Sequence, residues 1–135
     1  MMKTKTKVIV TVIALFILIG GGFLVKYLAD VSAYQNKVTA TTFLTNDISQ
    51  LKDGIYTGEY DVGFIYAKVE VEVAEGMIKR VVLLEHRHDK GGAAEPIINK
   101  IIEEQKVDVD AVAGATNSSI TIKKAADNAL ASASA

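Results

Sequence analysis

The pattern of apolar and polar positions changes character several times along the chain. Val8 to Val25 (VIVTVIALFILIGGGFLV) runs 18 residues without a charge; as a helix rising about 1.5 Å per residue it would reach ~27 Å, close to the thickness of a bilayer core. Residues 30–52 then mix Thr, Ser and Asn without a period, as a polar stalk would. After it, Gly54, Gly58 and Gly63 break up a Tyr56, Tyr60, Phe64, Tyr66 series, which predicts two short strands with tight turns. Ala67, Val69, Val71 and Val73 alternate with Lys68, Glu70 and Glu72, so the next strand has one apolar and one charged face. Ala74-Glu75-Gly76 supplies a turn and Met77 to Glu85 a partner strand, giving an antiparallel hairpin.

Helical spacing follows. Ile97, Ile98, Ile101 and Ile102 form one stripe, with Pro96 suited to the first turn. Lys106 to Val112 reads as a short extended piece. A last helix begins near Ser118, with Ile122, Ala125, Ala126, Ala129 and Leu130 on one face and Lys123, Lys124, Asp127 and Asn128 on the other. The order of elements predicts an α+β fold: a small, mainly antiparallel sheet with helices packed on one side, preceded by one transmembrane helix. The expected division is a cytoplasmic tail at 1–7, the transmembrane helix at 8–28, a stalk at 29–52 and a single domain at 53–135.

Charge sharpens the reading of the first segment. Lys3, Lys5 and Lys7 precede the apolar run, and cytoplasmic flanks are enriched in lysine, so the tail is expected inside and the domain outside a cell membrane. Two alternatives exist. One is a cleaved signal peptide, with small residues at Ala29, Ser32 and Ala33; the other is a buried helix of a soluble protein. An anchor fits best, because the run exceeds the usual signal-peptide core of about 7–15 residues and ends on Lys26-Tyr27. Beyond residue 26 acids outnumber bases, 16 to 11, which leaves no basic stripe for nucleic acid. The chain has no cysteine. Disulfides, thiolate metal sites and iron–sulfur clusters are thereby excluded, and a redox role would need an organic cofactor.

Candidate chemistry concentrates in Asp110-Ala111-Val112-Ala113-Gly114-Ala115-Thr116-Asn117-Ser118-Ser119, between the extended piece and the last helix. Gly114-Ala115 permits close backbone approach, and the N–H groups of a first helical turn suit an anion, above all a phosphate. The plainer alternative is that Thr116, Ser118 and Ser119 are ordinary capping residues. His86, His88 and Asp89 suggest a metal site, since i and i+2 on a strand share a face, although two histidines at a strand end are more often surface residues. Gly91-Gly92 lacks the GxxxxGK[ST] pattern of nucleotide hydrolysis. Tyr56, Tyr60 and Tyr66 suit sheet packing better than ring stacking.

The stretch DAVAGATNSS resembles the flavinylation motif of the FMN-binding domain family, which includes the C subunit of the sodium-translocating NADH:quinone oxidoreductase and the G subunit of the Rnf complex. The resemblance extends over 53–130: DGIYTGEYDVGF is similar to the family's opening, VEVEVAEGMIKRVVLLEHRHDKGG to its central hairpin, and EPIINKIIEEQKVDVDAVAGATNSS to its closing block. It implies that a flavin transferase joins the phosphate of FMN to the Thr116 hydroxyl. Asp110 and Gly114 would belong to the recognised motif, Ala115, Asn117, Ser118 and Ser119 would surround the phosphate, and His86 would lie by the flavin ring. Ala113 departs from the Ser or Thr more usual there. The implied activity is electron transfer, from a quinone-linked or other membrane donor to a redox partner, by a subunit or carrier and not a stand-alone enzyme. The alternative is a non-redox ligand-binding or assembly module with the same fold.

Overall fold

The computed structural model describes residues 3–43, 47–88 and 91–133. The chain divides into two compact units, residues 1–35 and 36–135. The first is the greater part of helix α1 (Thr4–Thr39). It is long and apolar enough to cross a membrane, and none of its most apolar 18-residue window is buried. Phe16, Leu18 and Phe23 are among its exposed side chains, a surface suited to lipid and not to a soluble protein's core.

The second unit is an α+β domain around a three-stranded antiparallel sheet in the order β1 (Gly54–Asp61), β2 (Tyr66–Ala74), β3 (Met77–Arg87). Ala67, Val69, Val71 and Val73 of β2 are almost wholly buried, while Arg80 of β3 bridges Glu70 and Glu72 on the opposite face. The alternation therefore sorts apolar residues inward, as the hairpin pattern predicts. Glu75 and Gly76 both have positive φ, 55° and 71°, as a two-residue type I′ turn requires.

Three sequence expectations give way to packing. Gly58 does not separate two strands; β1 runs through it. A Cβ there would lie 2.2 Å from Ala125 O and from Ala129 N, so the glycine is where strand meets helix. Secondly, helix α3 (Thr116–Ala133) is not half exposed: Lys123 and Asp127 are buried beside its apolar residues. The two ammonium groups of that face are paired, Lys123 with Asp108 at 2.9 Å and Lys124 with Asp127 at 2.8 Å, and Lys123 also lies over the Phe43 ring. Thirdly, the segment expected to be a stalk contributes to the domain. α1 continues to Thr39, and Val38, Ile48 and Leu51 are buried. Tyr60 joins this segment through Thr41, hydroxyl to hydroxyl at 2.8 Å.

Helix α2 (Ile97–Glu104) buries Ile97 and Ile101 and starts directly after Pro96. It ends on Gln105 in the left-handed region, φ 54°. That side chain accepts from Ile78 N and donates to Ile78 O and Ile102 O, so one amide closes the helix and continues the ladder at the start of β3. From there 106–115 crosses to α3 with Val107 and Val109 buried but without joining the sheet.

Candidate functional site

The site is built where the crossing segment turns into α3. Ala115 N–H donates to Val112 O at 3.0 Å, closing a turn whose third residue is Gly114 at φ 79°, the value of a type II turn. The first α-helical bond is Ser119 N–H to Ala115 O. Ala115 is therefore the capping position, and the helix opens with Thr116, in the first turn, where backbone N–H groups point out of the helix start. Serine, threonine, aspartate and asparagine are preferred at such a cap because their side chains accept from those groups, and alanine has no acceptor to offer. Thr116 is exposed, and so are Ala113, Gly114 and Asp110. A Cβ at Gly114 would meet nothing within 4 Å, so the approach to the helix start is open on that side.

Ser118 and Ser119, expected to direct hydroxyls to a phosphate, instead direct them inward. Ser119 Oγ accepts from Val112 N–H and donates to Ala115 O, and it is buried. It ties the turn to the helix it precedes. Ser118 Oγ lies 3.2 Å from His86 Nε2, and Gly91 covers it so closely that a Cβ there would overlap the hydroxyl. Neither hydroxyl is directed to a ligand, and the Ser119 N–H is already given to Ala115 O, so of the two only Ser118 brings a first-turn backbone N–H to the helix start. The sequence signal for this lies in the spacing: Ser119 follows Ala115 by four residues, and a helical serine can bond back one turn.

His86, near the end of β3, has only 2% of its side chain exposed. Its Nδ1 lies 3.2 Å from Glu95 Oε1. A carboxylate only accepts, so Nδ1 carries the hydrogen, and Nε2 is left to accept from the Ser118 hydroxyl. Burial holds the His86 pKa below its ordinary value, against the opposing hydrogen bond to Glu95. Sequence gives no sign of Glu95 as a partner: it lies nine positions beyond His86, just after the 3-10 turn Gly91–Ala94. His86 and Glu95 also line a shallow groove with Val82, Leu84, Glu85 and Ile98.

His86, His88 and Glu95 offer ligand atoms within 4.8 Å of one another, the composition of a divalent-metal site. The hydrogen bonding opposes it. Gly91 N–H donates to His88 Nδ1 at 3.0 Å, which places that ring's hydrogen on Nε2, the nitrogen facing Glu95 at 3.9 Å. A ligating Nε2 requires the opposite tautomer. Asp89, third member of the sequence-based metal reading, lies outside the described residues, as does Lys90 before Gly91-Gly92. The tyrosines serve the sheet: Tyr56 donates to Lys52 O, and Tyr66 donates to Glu59 at 2.6 Å.

Searches among curated proteins and among solved structures returned no match to the chain. The sequence profile described as FMN-binding domain matches residues 63–131. That range holds β2, β3, α2, the Gly114 turn and nearly all of α3, and covers just over half of the sequence. The chain belongs to the FMN-binding domain family.

Proposed function

We propose that this protein is a single-pass membrane flavoprotein that carries FMN joined through its phosphate to Thr116, and that it works as an electron carrier. The observation that carries the reading is Thr116 itself: exposed, first in α3, and set over a helical turn whose cap is alanine. A phosphate attached there keeps negative charge at the positive end of the helix, within reach of N–H groups that no side chain of Ala115 can satisfy. Gly114 keeps the approach open and Asp110 stands exposed at the front of the motif, available to a flavin transferase. His86, whose ring meets Ser118 two residues beyond Thr116, offers the groove towards α2 as the seat for the flavin ring.

FMN supplies the electron chemistry; the chain supplies attachment, placement and charge. Covalent attachment suits a domain outside the cell, where a dissociated cofactor would be lost by dilution. Helix α1 supports anchoring, and its lysine-rich start supports a domain facing outward. Maturation requires a flavin transferase, and the membrane donor and the redox partner are separate proteins.

Thr116→Ala tests the reading. Produced with an active flavin transferase, the variant should be folded, membrane-bound and without covalent flavin fluorescence on a denaturing gel, beside a fluorescent parent. A fluorescent Thr116→Ala band would refute the acceptor assignment. If the parent is itself non-fluorescent with an active transferase, the protein is a non-covalent binder or an assembly module.

A further inference from the structure

The His86 side chain is 2% exposed and touches the first turn of α3, and its two polar neighbours determine which ring nitrogen carries the hydrogen. Glu95 takes the Nδ1 hydrogen and Ser118 gives its own hydrogen to Nε2, so the neutral ring has both nitrogens satisfied. Among the described residues, the charged or titratable groups facing it are Glu95, from the segment before α2, and His88, whose ring centroid lies 4.3 Å away. Across β2 its partner is Ala67, which carries no charge, and from α3 it meets a hydroxyl.

Adding a proton changes that balance. Solvent supplies the proton, Nε2 becomes a second donor, and the Ser118 hydroxyl must turn its own hydrogen elsewhere. The ring then carries positive charge beside the positive end of the helix dipole, which disfavours it. Negative charge at the start of α3 reverses the sign of that interaction. We propose that protonation of His86 is linked to negative charge at Thr116, so that the protein takes up a proton at His86 when a phosphate diester is present there. The proposal rests on Thr116 as the flavin acceptor for its biological occasion, although the linkage itself belongs to the fold. Linkage is reciprocal: acidity that protonates His86 strengthens the hold of the helix start on the phosphate.

The test is a proton NMR titration of the histidine rings in the full chain in detergent micelles. The chain has two histidines, so His88→Gln assigns the signals. Four proteins are compared: unmodified, flavinylated, Thr116→Glu and Thr116→Gln. Thr116 is exposed and opens the helix, where an acidic residue is compatible with folding. The His86 midpoint should rise by about one pH unit in the flavinylated and Glu proteins over the unmodified and Gln proteins. That is the size expected for unit charges within one or two helical turns at an effective dielectric between about 20 and that of water. An equal His86 midpoint in all four overturns the linkage. If transferase never modifies Thr116 but Thr116→Glu still raises the midpoint, the cofactor assignment fails and the linkage stands.

Discussion

Gly58→Ala examines how closely β1 and α3 meet, and with it the platform that holds Thr116. The added methyl would sit 2.2 Å from Ala125 O and Ala129 N, and 2.8 Å from Ala129 Cα. All three are backbone atoms of a helix, so no side chain can rotate away. Carbon contacts are comfortable at about 3.5–4.0 Å, which requires α3 to lift by about 1 Å or β1 to buckle. Overpacking of this kind costs about 2–3 kcal/mol, while alanine regains roughly 0.5–1 kcal/mol over glycine within a strand. The net loss of about 2 kcal/mol lowers the melting temperature by about 10 °C for a domain of this size. Thermal melts by far-ultraviolet circular dichroism on the detergent-solubilised protein would read it, with exposed Thr57→Ala as the neighbouring control. A Gly58→Ala protein melting at or above the parent temperature would refute the packing account.

Three further outcomes follow from the site and its supports. Gly114→Ala places a side chain at φ 79° in open space, so its cost is backbone strain alone, about 1 kcal/mol, and Gly114→Asn should recover part of it; paired melts check both. Gln105→Ala removes two hydrogen bonds to Ile78 and one to Ile102 O; a loss of about 2 kcal/mol in urea titration is expected, and a loss near zero would contradict the bridging role. Because burial lowers the His86 pKa, the unfolded chain binds a proton near pH 6.5 before the folded chain does. Stability should therefore fall as pH drops through about 6.5 and level off once the folded ring titrates. His86→Gln should flatten that part of the profile, and an unchanged slope in the variant would remove His86 as its source.

Much of this was legible in the sequence, for identifiable reasons. The β2 alternation and the isoleucine stripe of α2 are periodic signals of single elements, and both elements form where the period places them. The Thr116 motif was legible because it is contiguous. Gly58 reads as a turn residue in the sequence because a glycine in a strand looks the same whether it serves a turn or a close approach, and only α3, more than sixty residues on, distinguishes them. Lys123 and Asp127 looked solvent-facing because charge usually marks exposure; here Asp108, Lys124 and Phe43 surround them. The His86–Glu95–Ser118 link joins residues 9 and 32 positions apart, and no local pattern signals it.

The central claim, covalent FMN on Thr116, is tested most directly by intact mass and peptide mapping of the full chain produced with an active flavin transferase and exported across a membrane. A gain equal to FMN less one water, mapped to the peptide that holds Thr116 and fragmenting there, is the predicted result. An unmodified Thr116, while a control substrate in the same cells is fully flavinylated, would contradict it.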